Sequence, residues 1–194
     1  MSFQIKTKLV LGLTGSMLSG KSTALMYFAK CGADIISCDD VVRELYTCSA
    51  VLAKIKAVLG TADKAQIAAQ VFKNESKRKA LEQILHPLIL KAVQARLRKC
   101  KQKLIVVEAP LLFEAGWDKR MDLNIAVLAD PKTLPARLKG RHLSRAEYMR
   151  RTRYQLKDEE KAARADVVFF HTTKAQLKQS VTRFCSAMNL LHVK

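Results

Sequence analysis

The segment that most constrains the fold is the glycine-rich stretch GLTGSMLSGKST at residues 12–23. Within it, Gly15, Gly20, Lys21 and Ser22 have the G-x-x-x-x-G-K-[ST] spacing that is typical of a phosphate-binding loop. An apolar run, KLVLGL, precedes the loop, and residues 21–31 carry apolar side chains at helical spacing. The sequence therefore predicts a strand, a phosphate-binding loop and a helix, in that order.

The predicted loop has specific chemistry for a nucleotide. Its backbone N–H groups can surround a phosphate chain, and the start of the following helix adds partial positive charge. Lys21 is expected to reach the β- and γ-phosphates, and the Ser22 hydroxyl is expected to bind Mg²⁺. The predicted nucleotide-binding residues are Gly15, Ser16, Met17, Leu18, Ser19, Gly20, Lys21, Ser22 and Thr23. The competing interpretation is a glycine turn that occurs by chance.

The rest of the chain alternates short apolar runs with helical patterns. The further predicted strands are ADIIS, KLIVVEAP, DLNIAVLAD and DVVFFHTT, and the predicted helices cover about 39–46, 50–72 in two pieces, 76–99, 133–163 and 174–189. Because Pro87 disfavours helical geometry at His86, a kink or restart is expected there. This alternation predicts an α/β fold in which a five-stranded parallel sheet is flanked by helices.

Two acidic residues follow predicted strands at the edge where such sheets bind ligands. Asp39 comes after the second strand, where it is either a helix cap or a carboxylate that orients an acceptor hydroxyl; Asp40 is its competitor. Glu108 ends the third strand and resembles the acid that holds a Mg²⁺ shell. Glu114 is expected to be a surface or cap residue.

The net charge of +18 is uneven along the chain. Residues 73–103 hold ten Lys and Arg against two acids, and residues 137–164 hold ten against four. Such charge suggests a polyanionic partner, although it is also compatible with a solvated surface. Arg137 and Arg141 lie four residues apart, so they share a helix face and could belong to a lid that neutralises phosphates.

Several classes of protein are excluded by composition. No apolar run reaches the ~18 residues of a membrane helix, and the N-terminal apolar run is too short for a signal peptide. The five cysteines are scattered, without C-x-x-C pairs, which indicates reduced thiols in a cytoplasmic protein. No specific nucleic-acid partner is predicted.

Six segments, in this order, resemble the dephospho-CoA kinase family. They are GLTGSMLSGKST, IISCDDVVREL, QVFKN, ILHPLI, VEAPLLFE and RRTRYQLKDEEKAARAD, and the similarity covers about residues 8–185. The HPLI and PLLFE segments distinguish this family from adenylate and shikimate kinases, which share only the loop.

The resemblance implies a P-loop kinase that uses ATP and Mg²⁺ to phosphorylate the ribose 3′-hydroxyl of dephospho-CoA. It implies one P-loop kinase unit over 1–194, with a helical substrate-binding insertion at about 47–101 and a basic lid at about 133–163. Asp39 then matches the proposed general base, and Arg43, His86 and Pro87 fall on the substrate side. Lys21, Arg137 and Arg141 act in catalysis, with Ser22 and Glu108 at the metal, and Arg151 with Gln155 matches a further family pattern.

The chain departs from the family pattern at several places, among them a shorter stretch between Leu59 and Asp63. Ser37-Cys38-Asp39 stands where the family has Asp-Ala-Asp, and Ser16 and Leu18 replace loop glycines. His171-Thr172-Thr173 replaces an Asn-x-Gly segment beside the adenine, so His171 is a predicted nucleotide contact that could stack on the base. The alternatives left open are another small-molecule kinase, a non-catalytic nucleotide- or nucleic-acid-binding protein, and a nucleotide-hydrolysing switch.

Overall fold

A computed structural model of the chain describes Phe3 and residues 8–191, with side chains through residue 188. The five predicted strands are β1 (Leu9–Thr14), β2 (Asp34–Ser37), β3 (Leu104–Glu108), β4 (Leu123–Ala129) and β5 (Val167–His171). They form one sheet of order β2-β3-β1-β4-β5, and the predicted fold class is confirmed. β1 is the middle strand and pairs in parallel with β3 and β4, and its residues are mostly buried, as is typical of a parallel sheet that is covered on both faces.

The described chain divides into two compact units. The first comprises the described residues of Met1–Ile36 and Cys100–Lys194, and we call it the sheet unit. Its helices are α1 (Lys21–Lys30), α6 (Leu134–Lys139), α7 (Arg145–Thr152), α8 (Asp158–Arg164) and α9 (Lys174–Leu191). Phe28, Phe169 and Phe184 meet in its core with ring centroids 5.9–6.3 Å apart, which packs α1 and α9 against β5.

The second unit comprises Ser37–Lys99, and we call it the helical unit. Its helices are α2 (Cys38–Leu45), α3 (Ser49–Leu59), α4 (Lys64–Lys73) and α5 (Glu75–Lys99). Leu85, Ile89, Val93 and Leu97 are buried along one face of α5, at the helical spacing seen in the sequence. α2 belongs to this unit, whereas the expected insertion began near residue 47.

At Pro87 a kink or restart was expected; the restart is wrong, and the kink stays a prediction. α5 continues through the proline over 25 residues. Proline removes one N–H donor from the helix, at a cost of about 3 kcal/mol, and the apolar side chains buried on both sides of it favour helical continuity. Similarly, the basic segment predicted as helical at 133–163 forms three helices separated by turns.

Candidate active site

The phosphate loop follows β1 as predicted, and two of its glycines have backbone geometry that requires them. Gly15 has a φ of 147° and Gly20 a φ of 101°. A Cβ atom on Gly15 would lie 2.2 Å from the Val127 carbonyl oxygen. The glycine spacing therefore reflects backbone conformation and a close approach between the loop and β4.

Leu18 also has a left-handed conformation, with a φ of 66°, which is uncommon for a residue with a side chain. Its carbonyl accepts a hydrogen bond of 2.8 Å from the Arg137 guanidinium. Burial lowers the pKa of Arg137 from its ordinary value. The predicted lid arginine therefore already contacts the tip of the loop through the backbone.

A cavity of about 410 Å³ opens beside the start of α1. This volume is in the range of small-ligand sites. Its lining includes Leu18, Gly20, Lys21, Ser22, Thr23, Arg137, Arg141, His171, Thr172 and Lys174. Loop residues and both predicted lid arginines thus border one cavity within the sheet unit. The Lys21 ammonium donates to the Ser16 carbonyl oxygen at 3.0 Å, so it lies folded against the loop.

Glu108 is the last residue of β3 and only 4% exposed. It is in register with Leu13 of β1, so it lies beside the strand end from which the loop departs. Among the described residues there is no group of three or more His, Cys, Asp or Glu side chains suited to a metal. Ser22 and Glu108 offer oxygen donors, the type that Mg²⁺ prefers when waters and phosphate oxygens complete its shell.

Gln155, between α7 and α8, and Asp158, the first residue of α8, also contact the loop. The Ser16 hydroxyl donates to Asp158 at 2.5 Å, and the Met17 N–H donates to the Gln155 side chain at 3.3 Å. Gln155 belonged to the family pattern, whereas Asp158 was missed. Its signal was weak because an acidic residue in the first turn of a helix is usually explained by the helix dipole. Burial and the nearby Asp158 carboxylate raise the pKa of Tyr148.

The expectation that Glu114 is a surface or cap residue is wrong. Its side chain is 14% exposed and forms an ion pair of 2.8 Å with Lys161, which is completely buried. Lys161 also donates to the Pro110 carbonyl at 3.1 Å, and the Leu156 N–H donates to Glu114 at 2.8 Å. These bonds fasten the segment after β3 to α8, where spacing along the sequence gave no sign of a pair.

His171-Thr172-Thr173, which replaces the Asn-x-Gly segment of the family pattern, has a local structural explanation. Thr173 Oγ1 accepts from the Gln176 N–H at 3.2 Å, and Gln176 Oε1 accepts from the Thr173 N–H at 3.0 Å. This is a reciprocal capping arrangement at the start of α9. Thr173 is not among the described positive-φ residues, so the turn differs from a glycine turn, as predicted. His171 is 3% exposed, which leaves little ring surface for stacking on a base.

The remaining predicted site residues lie in the helical unit. The N-cap of α2 is Ser37, so neither Asp39 nor Asp40 has that position; both are exposed in the first turn. Asp40 pairs with Arg43 at 3.0 Å. In α5, His86 is partly buried and Pro87 is exposed. The catalytic role of Asp39 and the substrate roles of Arg43, His86 and Pro87 stay predictions.

Residues 9–176 match the family of dephospho-CoA kinases. The chain belongs to the dephospho-CoA kinase family. A dephospho-CoA kinase of Rhodopseudomonas palustris is 36% identical over 169 residues, which cover 82% of this chain and 85% of the relative. A dephospho-CoA kinase of Fusobacterium nucleatum is 29% identical over 190 residues and covers 93% of this chain and 98% of its own.

The fold also agrees with solved structures. A crystal structure of a Thermus thermophilus protein superposes with a TM-score of 0.84 at 29% identity, covering 94% of this chain and 98% of that one. The resemblance based on short segments is therefore confirmed for the fold and for the family. Among the helices that the structure describes, none has the length and apolar character to cross a bilayer. All five cysteines are free thiols.

Proposed function

We propose that the protein transfers the γ-phosphoryl group of ATP to the ribose 3′-hydroxyl of dephospho-CoA, the last step of coenzyme A synthesis. Membership of the dephospho-CoA kinase family supports this reaction. The single structural observation that carries the proposal is the cavity of about 410 Å³ shared by the phosphate loop, Arg137 and Arg141. A kinase needs such an arrangement because positioning and charge neutralisation supply most of the rate in phosphoryl transfer.

Cationic side chains of the sheet unit would neutralise the triphosphate. The Lys21 ammonium, which donates to the Ser16 carbonyl at 3.0 Å, would turn toward a phosphate oxygen. Arg137 and Arg141 border the same cavity and can contact the γ-phosphate as charge develops on it. The loop N–H groups would hold the rest of the phosphate chain.

Mg²⁺ belongs to this proposal. The Ser22 hydroxyl and the Glu108 carboxylate would hold it, the latter through its place at the end of β3. When bound, Mg²⁺ neutralises charge on the β- and γ-phosphates. Two protein oxygens suffice, since Mg²⁺ in nucleotide sites keeps several waters and phosphate oxygens.

On the acceptor side, we assign Asp39 as the general base. The 3′-hydroxyl oxygen forms a bond to the γ-phosphorus, the bond from that phosphorus to the β,γ-bridging oxygen breaks, and ADP leaves. The hydroxyl proton passes to the Asp39 carboxylate and then to solvent. Arg43 would contact dephospho-CoA from α2, and His86 and Pro87 would contact it from an insertion at about 47–101, with the lid at about 133–163.

Acceptor-dependent release of ADP tests the proposed function. The protein is incubated with MgATP alone, with dephospho-CoA, and with an acceptor that lacks the 3′-hydroxyl. We expect ADP only with the complete acceptor. ADP release at the same rate in all three mixtures would indicate a nucleotide hydrolase and contradict the proposal.

The basic charge and the cysteines complete the proposal. ATP and dephospho-CoA are both polyanions, so we assign the +18 charge to attraction of these substrates. Duplex DNA should then bind only weakly and with steep salt dependence. Five free thiols are in keeping with a cytoplasmic location, which we propose for the protein.

A further inference from the structure

His171 occupies an unusual place beneath the phosphate loop. It is the last residue of β5 and only 3% exposed. Its Nε2 atom lies 2.8 Å from the Ser19 carbonyl oxygen, at hydrogen-bond distance. Its Nδ1 atom lies 3.3 Å from the Thr173 carbonyl oxygen, which already accepts the Leu177 N–H at 3.2 Å. A neutral imidazole can donate from only one ring nitrogen, and we assign the proton to Nε2 from the shorter contact.

The His171 ring packs closely against the phosphate loop at Gly20. A Cβ atom on Gly20 would lie 2.9 Å from His171 Nε2, so only glycine permits the ring to come this close. The Ser19 hydroxyl is buried and makes no hydrogen bond within the described structure. The Ser19 side chain therefore does not fix the orientation of its own peptide, whereas the contact from His171 can.

Peptide geometry links this contact to the phosphate site. The Ser19 carbonyl and the Gly20 N–H belong to the same planar trans peptide, so they point in opposite directions. A donor that holds the carbonyl on the β5 side therefore turns the Gly20 N–H away from β5. In a phosphate loop, N–H groups at this position point toward the phosphates.

We propose that His171 is a positioning residue for nucleotide binding: it fixes the Ser19–Gly20 peptide so that the Gly20 N–H faces the phosphate chain. The inference rests on the proposed function, because it takes an ATP phosphate chain as the ligand of the loop. It assigns His171 a role through the loop backbone instead of through contact with the base.

Three substitutions separate positioning from simple packing. H171Q places an amide N–H near the position of Nε2, H171N has the same group on a shorter side chain, and H171A has none. The readout is the Kd for MgATP, measured by calorimetry without acceptor. We expect H171A and H171N to weaken binding about 2- to 13-fold, the range for one hydrogen bond. H171Q should stay within about 2-fold of the unchanged protein.

A core variant on the same strand is the matched control. F169L reduces the ring contacts of β5 with Phe28 and Phe184 but leaves the Ser19 contact in place. It should lower the Tm without changing the Kd for MgATP. In addition, the ¹⁵N spectrum of the histidines should show the His171 ring protonated at Nε2, with that signal absent from H171Q.

The outcomes are distinct. An unchanged Kd in H171A, or a Kd in F169L as weak as in H171A, would overturn the positioning role and leave the proposed function standing. If H171A does not fold, equal weakening in H171Q and H171N would overturn it instead. Failure of the unchanged protein to bind MgATP would contradict the proposed function, and the inference with it.

Discussion

The two units of the molecule hold their polar side chains in different ways. In the sheet unit, several bonds join residues that are far apart along the chain, such as Ser16 with Asp158, Arg137 with the Leu18 carbonyl, and Lys161 with Glu114, while Arg150 and Arg151 pair locally with Glu147. In the helical unit, most ion pairs join neighbours one helical turn apart. The pair of Arg96 with Glu44, at 2.5 Å, is a longer-range exception.

The contrast between the two units shows which polar side chains depend on contacts with distant segments of the chain. The phosphate loop is held by β5, α6 and the segment before α8, so its shape depends on distant parts of the sheet unit. In α2, exposed Asp40 pairs with Arg43 of the same helix, whereas exposed Glu44 pairs with Arg96 of α5. Substitution of the side chains that form these long-range bonds in the sheet unit should therefore have large effects on ATP binding or stability. Substitution of exposed residues in the helical unit should act on the acceptor reaction or have little effect.

The largest expected effect is on Lys21. K21A should abolish turnover, because Lys21 is the cation that the loop itself supplies to the phosphates. Steady-state kcat is the measurement. K178A, which removes an exposed lysine of α9, is the charge-matched control and should retain full activity. A kcat for K21A close to that of the unchanged protein would remove the kinase interpretation.

The next effect tests the helical unit. D39N should lower kcat about 10²- to 10⁴-fold while the Kd for MgATP stays nearly unchanged, because it removes the base and not a phosphate contact. D40N is the matched control. It breaks an exposed pair with Arg43 and should change kcat little. A greater loss in D40N than in D39N would show that the base is one residue further along.

Breaking an ion pair should lower the free energy of unfolding more in the sheet unit than in the helical unit. K161A leaves Glu114 buried without its partner and should lower the free energy of unfolding by about 3–5 kcal/mol. K79A breaks the pair with Glu75, in which both side chains are more than half exposed, and should cost less than about 1 kcal/mol. Urea denaturation of both variants is the measurement, and equal losses would contradict the contrast.

The smallest expected effect is on base selectivity. The loop contacts phosphates, whereas the turn at His171-Thr172-Thr173 lacks the glycine expected beside the base. We therefore expect kcat/KM for GTP to lie within roughly 100-fold of that for ATP, since one or two hydrogen bonds separate them. A much larger preference for ATP would show that other residues form an intact adenine pocket.

Prediction from the sequence was most successful where a local pattern has a physical cause. Short apolar runs predict strands, and all five strands were found. Gly15 and Gly20 marked the loop because their φ angles require glycine. The buried pair of Glu114 with Lys161 and the contact of Asp158 with Ser16 were not predicted. Both contacts depend on how α8 packs. The partners are separated by 47 residues in the first pair and by 142 in the second, so no sequence periodicity could reveal them.

Pro87 gives the opposite lesson, because a local rule was overridden by packing. The apolar stripe of α5 is buried on both sides of the proline, and the helix continues. Thr173 departs from a family pattern for a local reason, since with Gln176 it caps α9. A prediction of backbone conformation from one residue type can therefore be wrong where the packing and hydrogen bonds of neighbouring elements determine that conformation.

Identification of the product tests the central claim most directly. The protein is incubated with dephospho-CoA and ATP labelled in the γ-phosphoryl group, and the labelled product is compared with authentic coenzyme A by chromatography and mass spectrometry. We predict that the label appears in a product identical to coenzyme A, phosphorylated at the 3′ position, with one ADP formed per product. Label found only in inorganic phosphate, or at another position of the acceptor, would contradict the account.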